Sequence, residues 1–267
     1  MKLGCGTLLY GGHDLDRALD GIQRAGYTHV ELGAMPSMAD HFQPGQPDAY
    51  YAGLRSKLES RGLAVESIGA STNLLDPSSQ SRFLGLMEAG AKVGAAFITS
   101  GSGGKSNDEE SWDEVVAAFR QWLIPAAERT GVRLSIKPHV NHAMFNCGTA
   151  LRFIAELDTD LVRLNYDSSH VFRAHEDPVM TLRALAPYLG TGRIRDMVSR
   201  DVQGPGPVES QIPGNGAMPM EAIAKAFRDV PGLEVVTLEI VGAKDMDAES
   251  VDDVVGRSRE ALAALFA

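Results

Sequence analysis

The sequence predicts one closed (β/α)8 barrel over residues 1–267, and three observations predict it. Short apolar runs alternate with amphipathic helical stretches eight times, and no change of composition divides the chain. Such alternation implies parallel strands joined by right-handed crossovers, and eight units favour closure of the sheet. The length, 267 residues, is close to the ~250 residues typical of one such barrel. The rival fold, a doubly wound open sheet, requires a glycine-rich nucleotide fingerprint after its first strand. Gly4-x-Gly6 without a third glycine does not supply one.

The first strand is expected over 2–9, ended by Tyr10-Gly11-Gly12. A helix follows from an Asp14 cap, with Leu15, Ala18, Leu19 and Ile22 on one face, and stops at Gly26. The second strand covers 28–32 and carries Glu31. The Pro/Gly-containing loop 35–46 holds His41 and is expected over a pocket mouth; the helix 48–61 then ends at Gly62. Strands at 64–69 and 96–99 are separated by a helix at 77–93, and the Gly/Ser-rich 100–106 follows. A helix over 110–130 contains Pro125, which must kink or divide it. Strands at 133–136, 162–166, 192–195 and 234–240 alternate with helices at 149–157, 178–188, 220–228 and 248–266. The segment 199–219, with four glycines and four prolines, exceeds an ordinary connection. It is read as a lid or substrate loop with Gly214-Asn215-Gly216 as its hinge.

Composition narrows the function. A hydrophobic fraction of 44% suits a full core, and a net charge of −10 argues against a nucleic-acid partner. No apolar run approaches the ~20 residues needed to span a bilayer, and the N-terminus carries no signal-peptide pattern. Cys5 and Cys147 fit no zinc spacing. A reduced, cytoplasmic protein with neither a membrane nor a nucleic-acid partner is expected.

Four strand tips carry the chemistry. Lys137 and His139 share a face if the extended run continues through Pro138, and Arg193 and Arg195 share one likewise. Asp167 ends its strand with His170 three residues on, and Glu239 sits in the apolar run 235–241. Burying a bare carboxylate there is costly unless a cation or metal meets it. A charge at one tip is ordinarily solvated by loop water; charges at four successive tips point to a shared pocket. His142 and His175 read as polar surface groups, His13, His29 and Cys147 as structural or incidental, and Trp112 and Trp122 as packing residues.

The order of motifs resembles the xylose isomerase-like barrel superfamily, the sugar phosphate isomerase/epimerase group with its tagatose-type epimerases and inosose dehydratases. The resemblance spans the chain: Gly-Tyr-Thr-His-Val-Glu-Leu at 26–32, Lys-Pro-His at 137–139, Tyr-Asp-Ser-Ser-His at 166–170, Arg-Ile-Arg-Asp at 193–196, Pro-Gly-Asn-Gly at 213–216 and Leu-Glu-Ile at 238–240. It implies a site in which glutamate, aspartate, histidine and a last glutamate bind one divalent ion, the two glutamates moving protons beside a carbonyl. Asp167 matches the aspartate, Glu239 the last glutamate, His139 and His170 the substrate-side histidines, and Arg195 with Asp196 the basic–acidic pair. Lys137 stands where the first glutamate belongs and Arg193 where the metal-binding histidine belongs, and neither can donate a lone pair at neutral pH.

With these departures, the resemblance implies Glu239, Lys137 and Asp167 as catalytic residues. His139, His170, Arg193, Arg195 and Asp196 are implied as substrate-binding residues. No metal ligand and no cofactor are expected, the two cations taking the ion's place by pairing with Asp167 and Glu239. The alternative is a rearranged site for manganese, cobalt, magnesium or zinc, built from Asp167, Glu239 and one of His139, His142 or His170. The implied activity is that of a sugar isomerase or epimerase in carbohydrate metabolism, moving a proton next to the carbonyl of a keto-sugar or polyol derivative. Lys137, with its pKa lowered by burial, is the expected second acid/base. A sugar lyase or dehydratase using the same proton abstraction is one alternative, and a non-catalytic sugar- or acid-binding barrel another. The expected partner is a small carbohydrate, with Arg193 and Arg195 hinting at an anionic group on it, and the superfamily's habit implies a homo-oligomer.

Overall fold

Runs such as Val162–Asp167 and Val235–Leu238 are buried along most of their length, as strands covered on both faces must be. In the computed structural model, which describes residues 1–267, the strands are β1 (Lys2–Gly6), β2 (His29–Met35), the two-residue β3 (Ala39–Asp40), β4 (Ala64–Gly69), β5 (Phe97–Gly101), β6 (Arg133–Lys137), β7 (Val162–Asp167), β8 (Leu189–Ile194) and β9 (Val235–Leu238). Eight of them run parallel in the order β1-β2-β4-β5-β6-β7-β8-β9, and β1 pairs with both β2 and β9, so the barrel closes without a free edge. Only β3 stands apart, as an antiparallel pairing on the end of β2.

The outer layer consists of α1 (Leu15–Arg24), α2 (Asp48–Glu59), α3 (Pro77–Val93), α4 (Glu109–Ala118), α5 (Ile124–Thr130), α6 (Cys147–Leu157), α7 (Ser168–Arg173), α8 (Pro178–Leu185), the single turn α9 (Val208–Gln211), α10 (Met220–Arg228) and α11 (Ala248–Leu265). Asp14, Asp76, Asp108, Asp177 and Asp247 accept backbone N–H bonds at the starts of α1, α3, α4, α8 and α11. The expected 110–130 helix is divided at a π turn, Phe119–Leu123, between α4 and α5. Pro125 has no N–H for the carbonyl four residues back, and the wider turn before it absorbs the mismatch. The expected first strand stops at Gly6, because Thr7–Tyr10 coil into a 3-10 turn and the Thr7 hydroxyl accepts from Gly33 N. No helix is long and apolar enough to cross a membrane.

The interior of this barrel is polar where branched apolar side chains are usual. Ser67, Ser135, Thr191, Arg193 and Thr237 are all fully buried. Ser135 Oγ on β6 lies 2.8 Å from Thr191 Oγ1 on β8, a bond that skips a strand and so crosses the interior. Two register shifts shape this layer. Val30 pairs with Val65 but Glu31 with Ser67, which leaves Glu66 as an extra residue on β4. Leu164 pairs with Leu189 but Asn165 with Thr191, which leaves Gly190 extra on β8. A bulge interrupts the strict alternation of side chains, so Glu66 and Ser67, adjacent in sequence, both reach Arg193.

Candidate active site

The carboxyl ends of the strands surround a cavity of about 790 Å³, lined among others by Gly69, Gly101, Lys137, Arg195 and Glu239. Barrels of this class carry their chemistry at this end, and the volume is within the ~300–1,000 Å³ usual for small-molecule sites.

Lys137 is the centre of the floor. Its Nζ lies 2.9 Å from Asp167 Oδ2 and 2.6 Å from Glu239 Oε1. Burial disfavours the ammonium, but Asp167 and Glu239 outweigh it and hold the lysine above its ordinary pKa. The expectation of a lysine titrating as a base is thereby corrected: two carboxylates, not one neighbouring arginine, set its charge. Asp167 is itself buried, yet the charges of Lys137, His170 and Arg195 and a bond from Ser169 hold it well below the usual carboxylate range. Its Oδ1 accepts from Ser169 N and Oγ, and Ser169 Oγ accepts from Arg195 Nε. Asp167 therefore does not line the cavity but anchors the groups that do.

Arg193 lies a layer deeper. It is fully buried and absent from the cavity wall, so its expected contact with substrate has no surface to occur on. Its Nη2 donates to Glu31 Oε1 at 2.6 Å and to Ser67 Oγ at 2.9 Å, and its Nη1 to Glu66 Oε1 at 3.1 Å. Asp167, the expected partner, is not among its bonds, and Glu239 is reached only at 3.5 Å from Nε, without a hydrogen bond. Glu31 is held ionised, below the usual range, because Arg193 and Thr99 overcome its burial. Glu66 is pushed up by burial and by Glu31, against the pull of Arg193. The two acids therefore differ. Glu31→Gln is expected to cost about 3–5 kcal/mol of stability at neutral pH, as loss of a buried ion pair does, and Glu66→Gln less than that; urea unfolding of the two variants measures both.

His139 stacks between His142, at 4.3 Å between ring centroids, and His170, at 4.1 Å. All three line the cavity, which corrects the reading of His142 as a surface group. His139 Nδ1 meets the Val140 carbonyl at 2.8 Å and must donate to it, leaving Nε2 as the acceptor. Burial lowers the pKa of all three, His139 to about 4. Unfolding returns these rings toward the ordinary value near 6.5, so the unfolded chain takes up the extra protons between about pH 6.5 and 4. Stability is expected to fall as pH drops through that window. The urea midpoint at pH 5 should lie below that at pH 7, and His139→Asn should flatten the difference.

Asp196 is fully buried and also stands off the cavity. Its carboxylate accepts from Met197 N, Gly214 N and Met218 N, which stitches the segment 199–219 to the barrel. A Cβ on Gly216 would come within 2.3 Å of Asp196 Oδ1, so this glycine serves close packing and not the expected hinge. Gln211 in α9 ties the same segment down: its Oε1 accepts from Arg195 and Val241 N, and its Nε2 donates to the Gly206 and Val241 carbonyls. Gly204 and Pro205 nonetheless reach the cavity, as a substrate loop should. His41, expected over the mouth, is buried against the His13 carbonyl instead.

The donor set does not suit a divalent ion. The Lys137 ammonium lies between the two best-placed carboxylates and offers protons, not lone pairs. No three His, Cys, Asp or Glu side chains are grouped to hold a metal.

Comparison with curated protein sequences finds no match. Among solved structures, the probable 3-DHS dehydratase AsbF of Bacillus anthracis superposes with a TM-score of 0.79 at 16% identity, over 98% of this chain and 99% of its own. D-psicose 3-epimerase of Clostridium cellulolyticum H10 gives 0.77 at 16% identity, over 100% and 99%. The E. coli 3-keto-D-glucoside 4-epimerase YcjR gives 0.75 at 17%, over 97% and 99%. These likenesses establish the fold. The sequence model described as xylose isomerase-like TIM barrel matches residues 19–265, and the chain belongs to that family.

Proposed function

We propose that this barrel is a sugar isomerase that transfers a proton beside the carbonyl of a keto-sugar or polyol derivative, using Glu239 as base and no divalent ion. One observation carries the reading. The Glu239 carboxylate lines the cavity while Lys137 Nζ grips its Oε1 at 2.6 Å and Arg193 Nε lies 3.5 Å from its Oε2. A carboxylate held in this way is aimed, and the ammonium beside it is placed to meet charge forming on a substrate oxygen. Glu239 takes the proton from the carbon next to the carbonyl, the C–H pair becomes the new C=C bond, and the carbonyl pair moves onto oxygen opposite Lys137. Return of that proton to the adjacent carbon, with transfer of the hydroxyl proton between the two oxygens, gives the isomer.

Two-base epimerisation requires an acid and a base on opposite faces of one carbon. Lys137 stands where the second base would act and is held protonated, so transfer along one face between adjacent carbons suits this site better. The names of the structural neighbours, two sugar 3- or 4-epimerases and a dehydratase, support a hydroxylated carbonyl compound as substrate. The test is incubation with a panel of ketoses and aldoses in heavy water with EDTA present. Deuterium beside the carbonyl and an isomerised product are expected. Loss of exchange on chelation, with stoichiometric manganese, cobalt or zinc in the purified protein, overturns the metal-independent reading. An unsaturated, dehydrated product makes the protein a lyase, and saturable binding without exchange makes it a binding barrel.

A further inference from the structure

We infer that Arg173 and Arg195 form an anion subsite in this cavity, so that the substrate carries a carboxylate or phosphate group in addition to its carbonyl. The inference deepens the proposed function and rests on its placing a sugar substrate in the same cavity.

The cations of the barrel mouth divide by what they touch. Arg193 is met by Glu31, Glu66 and Glu239, and Lys137 by Asp167 and Glu239. Arg195 is 2% exposed and lines the cavity, yet it pairs with no carboxylate. Its Nε donates to Ser169 Oγ at 2.8 Å and its Nη1 to Gln211 Oε1 at 3.3 Å, both neutral groups, and Nη2 makes no bond within the protein. Arg173, at the end of α7, is half-buried, lines the same cavity, and has neither a hydrogen bond nor an ion pair. Ser169 and Arg173 are four residues apart on α7 and share a face, so both guanidinium groups gather over that face of the helix. Burial and the nearby charge of Arg195 pull Arg173 below its ordinary pKa against the weaker opposing pull of Asp167, in keeping with two neighbouring cations.

A buried guanidinium without a counter-charge is costly, and this chain does not lack acids to supply one: Asp and Glu number 35 against 25 Lys and Arg. No carboxylate lies within ion-pair distance of either arginine, and Asp167, whose charge reaches both, is already paired with Lys137. A ligand's anionic group supplies the missing charge, and the planar forks of two arginines match the oxygens of a carboxylate or phosphate.

The test is calorimetric binding of D-fructose, D-glucuronate, D-fructose 6-phosphate and inorganic phosphate to the wild-type chain and to Arg173→Met, with Arg195→Met as a second variant. Arg173 makes no bond, so its loss leaves folding intact. An anionic sugar is expected to bind at least tenfold more tightly than D-fructose, to lose at least tenfold in Arg173→Met, and to regain part of that in Arg173→Lys, while D-fructose changes less than twofold. Preference for D-glucuronate identifies a carboxylate, and preference for D-fructose 6-phosphate and inorganic phosphate a phosphate. No anion binding, no advantage of anions over D-fructose, or equal weakening of neutral and anionic sugars overturns the subsite. Because the readout is binding, it stands or falls apart from proton transfer at Glu239, which the deuterium experiment decides.

Discussion

Glu239→Gln is expected to lower turnover and solvent-deuterium exchange by about 10²–10⁴-fold, the usual contribution of a positioned general base. The amide keeps the shape of the side chain, and its Oε1 can still accept from Lys137, so the floor of the cavity survives. What disappears is the ability to take a proton. The loss should therefore appear in kcat, with KM little changed, because the interaction removed is one made in the transition state. The measurement is steady-state kinetics beside the exchange rate in heavy water, on whichever sugar the panel identifies. A loss smaller than tenfold would move the base to another carboxylate on the wall. Glu31 and Glu114 are the candidates, and Glu31 Oε1 is already occupied by Ser67, Thr99 and Arg193.

Lys137→Met is expected to destabilise the fold by about 3–5 kcal/mol at neutral pH and to abolish exchange. Methionine fills much of the volume but leaves Asp167 and Glu239 facing each other without the ammonium that joins them at 2.9 and 2.6 Å. In the wild type, the depressed Asp167 contributes stability that is present above the ordinary carboxylate pKa and lost only as pH falls well below it. In the variant that carboxyl loses its largest compensating charge, keeping only Ser169, His170 and Arg195, and its folded pKa rises. The deficit should therefore shrink as pH falls through the carboxylate range, when the acid is protonated. Chemical denaturation of both proteins at pH 7 and pH 5 measures this difference. The double change Lys137→Met with Asp167→Asn should recover part of the loss, since it removes a buried charge together with its partner. Equal stability of Lys137→Met and wild type at pH 7 would show that the ammonium does not hold the two acids.

Much of the site can be read in one dimension. Lys137, Asp167, Glu239 and Arg195 each stand at or just past a strand end, and strand ends are recognisable where an apolar run meets charge. Other residues left no such mark. Glu66 takes its place through a bulge on β4, and alternation counted along the strand directs Glu66 and Ser67 to opposite faces. Arg173 depends on α7, a six-residue helix too short for a periodic signal, so nothing in the sequence placed it on the same face as Ser169. Asp196 is legible as a charged residue after a strand, but its work is to bind the amide of Met197 and two backbone amides of the segment 199–219, a job that no local pattern announces.

The alternation of apolar and amphipathic runs was enough for the eightfold barrel, because that period is local and each unit writes it out in full. The substitution of cations at the two positions where metal ligands belong was legible in the same way, residue by residue. Which acid each cation meets was settled by folding alone. Arg193 and Glu31 are 162 residues apart and bond across the barrel interior, where closure of the sheet brings β8 opposite β2. A charge pair belongs to three-dimensional distance, and the sequence holds its two halves without recording that they touch.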